Sequence, residues 1–291
     1  MRDFEVVLPD GHRITAREDG DLTGSPVFSL HGTPGSRLLY PKHVDDARRR
    51  GLRLIGYDRP GYGGSTSRRG RSVGDVAGEV AAVADELGFE EFAVWGHSGG
   101  GAPALACAAL LPDRVVAASC LAGVAPSDAQ GFDPLEGMGQ ANLDEIRLMQ
   151  SDLAAWEAQT AVQGEEMRHV TPEGIAEVMT TLLSDVDRKA LTPGLLQFFA
   201  EQAHEAFRNG ADGMRDDNLS DLRPWGFDVA SIRVPTQVWH GAHDRFVPIG
   251  HGRWLAAHVP NVEAHLLPDE GHVTLYEHRI PEVHGWLSRR F

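Results

Sequence analysis

Three side chains in this sequence could together do nucleophilic chemistry. Ser98 sits in Gly96-His97-Ser98-Gly99-Gly100. The apolar run Phe92-Ala93-Val94-Trp95 before it reads as a buried strand, and Gly101-Ala102-Pro103-Ala104-Leu105-Ala106 after it reads as a helix start. A Gly-X-Ser-X-Gly between strand and helix forms a tight elbow that pushes the hydroxyl outward. The flanking glycines leave room for so sharp a turn. Short patterns match by chance, so the flanks carry the argument. A serine hydroxyl needs a base, and the base needs an orienting acid. In a strand–elbow–helix setting these follow in the chain order Ser, acid, His. Asp244 lies just past the apolar run Pro235 to His240, and His272 lies in the loop after Glu263-Ala264-His265-Leu266-Leu267.

The chain has 14 His, so the choice of base rests on order and position. His31, His97 and His240 adjoin strand ends and are expected to frame the site. His243, next to Asp244, is expected to point away from it. His251, His258 and His278 fall in helical stretches and are expected to face solvent. His272 has both the order and the loop position. The chemistry also needs two N–H donors for a developing oxyanion. Gly99 N–H, backed by the helix N-terminus, is one. Thr33 N–H is the other, in the loop His31-Gly32-Thr33-Pro34 after the strand Pro26 to Leu30. Gly32 lets that loop turn close to a substrate, and Pro34 stiffens it.

With these residues in hand, the chain resembles the α/β-hydrolase superfamily over nearly its whole length. His31-Gly32-Thr33-Pro34 resembles that family's HGxP oxyanion segment, and Tyr57-Asp58-Arg59-Pro60-Gly61-Tyr62-Gly63-Gly64-Ser65 resembles its D-x-P-G-x-G-x-S loop. The resemblance implies a serine hydrolase with Ser98 as nucleophile, Asp244 as acid and His272 as base. Thr33 and Gly99 would form the oxyanion hole, with His31, Gly32 and His97 framing the site. No metal or cofactor is implied. Carboxylesters, thioesters or lactones of a small, largely apolar substrate are the expected targets. C–C hydrolysis and cofactor-free perhydrolysis by the same three residues stay open, as does a ligand-binding role without turnover. Haloalkane dehalogenases and epoxide hydrolases attack with a carboxylate, and the elbow here carries Ser98.

The elements that must position these groups follow from the pattern along the 291 residues. Phe4–Leu8 and His12–Arg17 read as a hairpin turned at Pro9-Asp10-Gly11. Strands at Val27–Leu30, Leu52–Tyr57, Phe92–Trp95 and Val115–Leu121 alternate with helices at Arg37–Arg50, Val73–Leu87 and Ala102–Leu111. That alternation predicts an α/β architecture, a mostly parallel sheet flanked by helices on both faces, and the resemblance implies that the sheet has eight strands. From about 126 to 225 strand-like runs stop, and helices at Asp144–Ala161, Pro172–Leu183 and Gly194–Arg208 take over, with breaks near Gly164, Pro193 and Gly210. The expected organisation is a core over 1–125, an inserted helical lid over 126–225, and a second core segment over 226–291, with a closing helix from about Leu275 to Ser288. The lid's Phe132, Met138, Met149, Trp156, Met167, Leu195, Phe198, Phe199, Met214 and Trp225 divide between pocket lining and packing in a way the sequence does not resolve.

Charge narrows the partners. The net charge is −15, which argues against nucleic acid and anionic membranes. Residues 126–225 hold 19 acidic and 7 basic side chains, so most of the excess sits there. A lid that attracts cations and a solvated outer surface both fit. Hydrophobic content of 42% and charged content of 24% suit a soluble globular protein. The start carries no apolar signal region, and the expected location is the cytoplasm. Cys107 and Cys120 make no disulfide framework and read as small buried apolar residues. The expected partner is a small-molecule substrate, with a homodimer left open.

Overall fold

A computed structural model describes all residues, Met1–Phe291. Eight strands form one sheet: β1 (Arg2–Val7), β2 (Arg13–Gly20), β3 (Ser25–Leu30), β4 (Leu52–Tyr57), β5 (Phe92–His97), β6 (Val115–Leu121), β7 (Thr236–Gly241) and β8 (Glu263–Leu267). Their spatial order is β1-β2-β4-β3-β5-β6-β7-β8. The β1–β2 and β2–β4 pairings are antiparallel and the rest parallel. The expected eight-stranded, mostly parallel sheet is therefore present.

Because side chains alternate along a strand, neighbours in sequence feed opposite faces. Phe28 and Val94 join one core with Val76, Val80 and Leu105, whereas Val27, Ala93 and Trp95 join the other with Val44, Ile280 and Val283. The helices behind these contacts are α1 (Pro41–Arg49), α2 (Val76–Glu86), α3 (Gly101–Leu110) and the closing helix that carries Ile280 and Val283. The first helix starts later than Arg37. Pro41 sets its first turn, and before it Ser36 N donates to Gln202 Oε1 and Arg37 N to Asp58 Oδ1, at 2.6 Å each.

Between β6 and β7 the chain makes six helices and no strand: α4 (Gln140–Ser151), α5 (Leu153–Met167), α6 (Pro172–Val178), α7 (Asp185–Ala190), α8 (Pro193–Ala206) and α9 (Asp212–Asp221). Two details correct the sequence reading. The helix expected over Asp144–Ala161 is broken at Asp152, whose carboxylate accepts from Ala155 N and caps a new helix. The break expected near Gly164 is absent. Gly164 lies inside α5, where a Cβ would come within 2.7 Å of Ala211 Cβ, so this glycine permits close helix packing rather than a turn. The chain closes with α10 (Ile249–His258), a short α11 (His272–Thr274), one π-turn over Leu275–Arg279, and α12 (Ile280–Leu287). The final helical run thus begins at His272 itself, not at Leu275. Cys107 and Cys120 are buried and unpaired. No helix is long and apolar enough to cross a membrane.

Candidate active site

Ser98 ends the run of β5 and opens the turn into α3 with φ at 57°, a left-handed conformation that costs a non-glycine residue energy. Close packing enforces it. A Cβ on Gly96 would overlap the Gly100 carbonyl oxygen, and one on Gly99 would overlap Thr33 Oγ1. Gly99 and Thr33 are therefore in contact beside Ser98, so the loop after β3 and the turn after β5 converge where two oxyanion donors are needed.

His272 and Asp244 meet as well. His272 Nδ1 lies 2.7 Å from Asp244 Oδ2, with both side chains buried. The other oxygen, Asp244 Oδ1, accepts from Phe246 N and Val247 N at 2.9 Å each. Burial pushes the Asp244 carboxyl up, but the His272 imidazole and these N–H groups outweigh it and hold the acid below its usual range. Phe246 stacks on the His272 ring at 4.5 Å between centroids and fixes its plane.

The surrounding histidines take neutral roles. His97 Nε2 donates to the His272 carbonyl at 3.0 Å, and burial lowers its pKa to about 3. His31 Nδ1 donates to the Gly32 carbonyl at 2.7 Å while its Nε2 accepts from Arg59 N. Burial and the Arg59 charge keep this imidazole neutral. His240 donates through Nε2 to the Val247 carbonyl and stands 3.7 Å from Asp244. His243, His258 and His278 are exposed. His251 is not. Its Nδ1 accepts from Ala125 N and its Nε2 donates to the Pro134 carbonyl, so an inward-facing position on α10 replaces the solvated one expected.

Three further residues hold the site from a distance, and sequence reasoning did not find them. Asp217 of α9 accepts from Thr33 Oγ1 at 2.7 Å, from Tyr62 OH at 2.8 Å, and from Arg59 and Arg71. Arg59 also donates to the carbonyls of His31 and Gly32. Burial opposes ionisation of Asp217, yet the two guanidinium groups hold it well below the carboxylate range. On the other side, Asp187 of α7 accepts from the main-chain N–H groups of His272, Val273 and Thr274 at 3.2, 2.8 and 3.1 Å. It caps the turn that carries His272. Arg59 lies in a segment the sequence singled out, but the carboxylate that pairs with it, Asp217, is 158 positions away. No local pattern signals such a partner.

A cavity of about 620 Å³ opens over these groups, bordered by Ser98, His272, Thr33 and Gly99 below and by α4, α5, α6, α8 and α9 above. Phe132, Met138, Met149, Met167, Phe198, Phe199 and Met214 line it, whereas Trp156, Leu195 and Trp225 are packed away from it. No cluster of His, Cys, Asp and Glu has the arrangement of a metal site. The arrangement can position a hydroxyl, a buried His–Asp pair and two N–H donors against an apolar substrate.

A family model described as the alpha/beta hydrolase fold matches residues 25–279. The chain is 27% identical to the AB hydrolase superfamily protein YisY of Bacillus subtilis (strain 168), over 92% of this chain and 95% of that one. It is also 27% identical to a 2-hydroxy-6-oxononadienedioate/2-hydroxy-6-oxononatrienedioate hydrolase of Burkholderia vietnamiensis, over 94% and 89% of the two chains. A thermophilic esterase from Thermogutta terrifontis superposes with a TM-score of 0.71 at 21% identity, covering 100% and 99% of the chains, and shares the fold.

Proposed function

The chain belongs to the α/β hydrolase fold family, and on that premise we propose that it is a serine hydrolase that cleaves carboxylic esters through an acyl-enzyme at Ser98. The observation that carries this reading is the pairing of an outward-turned Ser98, at φ 57°, with a buried His272–Asp244 contact of 2.7 Å across one apolar cavity. His272 Nε2 takes the hydroxyl proton as Ser98 Oγ attacks the ester carbonyl. The tetrahedral oxyanion accepts hydrogen bonds from the N–H groups of Thr33 and Gly99. Collapse expels the alcohol, which leaves with the proton from His272. Water then gives its proton to His272, attacks the acyl-enzyme and releases the acid, returning the proton to Ser98. Asp244 keeps the imidazole in the tautomer with Nδ1 protonated and stabilises its cation. Residues 126–225 act as a lid over the cavity and set acyl-chain preference.

The same residues would serve C–C hydrolysis, and a relative carries that activity in its name. Ester cleavage is favoured because the cavity lining includes no Arg or Lys to receive a substrate that is a dioate. Initial rates on p-nitrophenyl esters from C2 to C12 test the reading. Wild type should show an optimum in chain length, and Ser98→Ala should lower kcat/KM by about 10⁴-fold or more. Equal rates in the two proteins would overturn the assignment of Ser98.

A further inference from the structure

The cavity over Ser98 is bordered by no Arg or Lys, yet by two carboxylates, Glu145 of α4 and Asp221 at the end of α9. Neither is used up by the fold. Trp156 Nε1 and Asn218 Nδ2 both donate to Glu145 Oε1, at 3.1 Å each, and leave Oε2 without a protein donor. The Asp221 carboxylate enters no hydrogen bond or ion pair with the protein. The arginines nearest to it direct their bonds elsewhere, Arg59 to Asp217 and the His31 and Gly32 carbonyls, Arg71 to Asp217 and the Gly213 carbonyl. Asn218 stands three residues before Asp221, on the same side of α9, and touches Glu145. The two free carboxylate edges therefore address one part of the cavity.

Asp221 is a costly residue in this place. It is the last residue of α9, where the negative end of the helix dipole disfavours an anion. Burial and the neighbouring Asp217 charge push its carboxyl up to about 7, against the pull of Arg59 and Arg71. Burial raises Glu145 too. A carboxylate without a partner in a cavity built around a nucleophile calls for a partner that arrives with the substrate. Asp217, four residues earlier, is bonded to Thr33 of the oxyanion loop, so Asp221 sits about 6 Å further along the helix axis.

We propose that the substrate carries an organic ammonium group, held between Glu145 Oε2 and Asp221 beneath α4 and α9, and that dicarboxylates are rejected. The acyl or alcohol part between this group and the ester is short and apolar, matching the Met and Phe wall. This inference rests on the esterase reading for its kinetics but not for its binding.

The test compares p-nitrophenyl 6-aminohexanoate, p-nitrophenyl hexanoate and the p-nitrophenyl monoester of adipic acid. The cationic ester should exceed the neutral one in kcat/KM by about tenfold or more, the factor one charge-assisted hydrogen bond supplies. The anionic ester should fall below both. Asp221→Asn and Glu145→Gln should each pull the cationic-to-neutral ratio toward one. In wild type that ratio should rise with pH through about 7 as Asp221 ionises, and the rise should vanish in Asp221→Asn; taking the ratio cancels the titration of His272. Asp217, Arg59 and Arg71, the charged groups facing Asp221, stay ionised through this range. Separately, calorimetry on Ser98→Ala should find hexylammonium bound more tightly than hexanoate. A ratio at or below one in wild type overturns the proposal, as does tighter binding of hexanoate. Preference for hexylammonium with no turnover of any ester would keep the cation site and remove the esterase reading.

Discussion

Ser98, Asp244 and His272 could be read from the sequence because each follows a strand, and a strand end at the top of a parallel sheet leaves few places for a side chain to point. Their supports could not be read, because Asp187 and Asp217 act through contacts separated by at least 85 and 146 residues in the chain. His251 was misjudged for a related reason. It falls in a helical stretch, but the imidazole bridges Ala125 N and the Pro134 carbonyl, two groups with no sequence signature. Asp244→Asn should lower kcat by about 10⁴-fold with KM little changed, since the amide favours the wrong imidazole tautomer. Stopped-flow rates on the best ester check it, and a loss below about tenfold would remove Asp244 from its role.

The parallel sheet was legible from the alternation of short apolar runs with helical periodicity, and all eight strands fall where that pattern puts them or within a few residues. The helical insertion was read less well. Of its six helices, α7 is only six residues long, and α9 reads Asp-Gly-Met-Arg-Asp-Asp-Asn-Leu-Ser-Asp. The inward face of α9 is polar, with Asp216, Asp217 and Ser220 buried, so hydrophobic periodicity passes over it. Yet α9 holds the Thr33 loop and α7 holds the His272 turn. Asp187→Ala should therefore destabilise the fold by about 1–2 kcal/mol, the worth of a lost cap, and lower kcat. Thermal melts and initial rates measure the two effects. Asp217→Asn leaves two buried guanidinium groups short of a counter-charge and should cost about 3–5 kcal/mol at neutral pH. The folded pKa of Asp217 is depressed, so this stability is present above the unfolded value of about 3.9 and is lost as pH falls below it. The difference in stability between wild type and Asp217→Asn should shrink steadily from pH 5 to pH 2 in denaturant titrations. A constant difference would mean that Asp217 is not ionised in the folded protein.

Across the whole molecule, most of the excess negative charge lies in residues 126–225, over the cavity that holds Glu145 and Asp221. A field of one sign around a cleft raises the encounter rate of an oppositely charged ligand, and salt screens it. Raising ionic strength from about 0.02 to 0.5 M should lower kcat/KM for p-nitrophenyl 6-aminohexanoate several-fold and leave the hexanoate ester nearly constant. Equal salt dependence would assign the acidic surface to solubility alone. The kinetic effects presuppose the one covalent step at Ser98, which a trapping experiment addresses without choosing a substrate. Diethyl p-nitrophenyl phosphate transfers a phosphoryl group to an activated serine and releases p-nitrophenol. Intact-protein and peptide mass spectrometry should find one diethylphosphoryl group per chain on the peptide containing Ser98, with loss of esterase activity in proportion to labelling and no labelling in Ser98→Ala. Labelling of another residue with the same loss of activity, or full loss without any adduct on Ser98, would contradict the account.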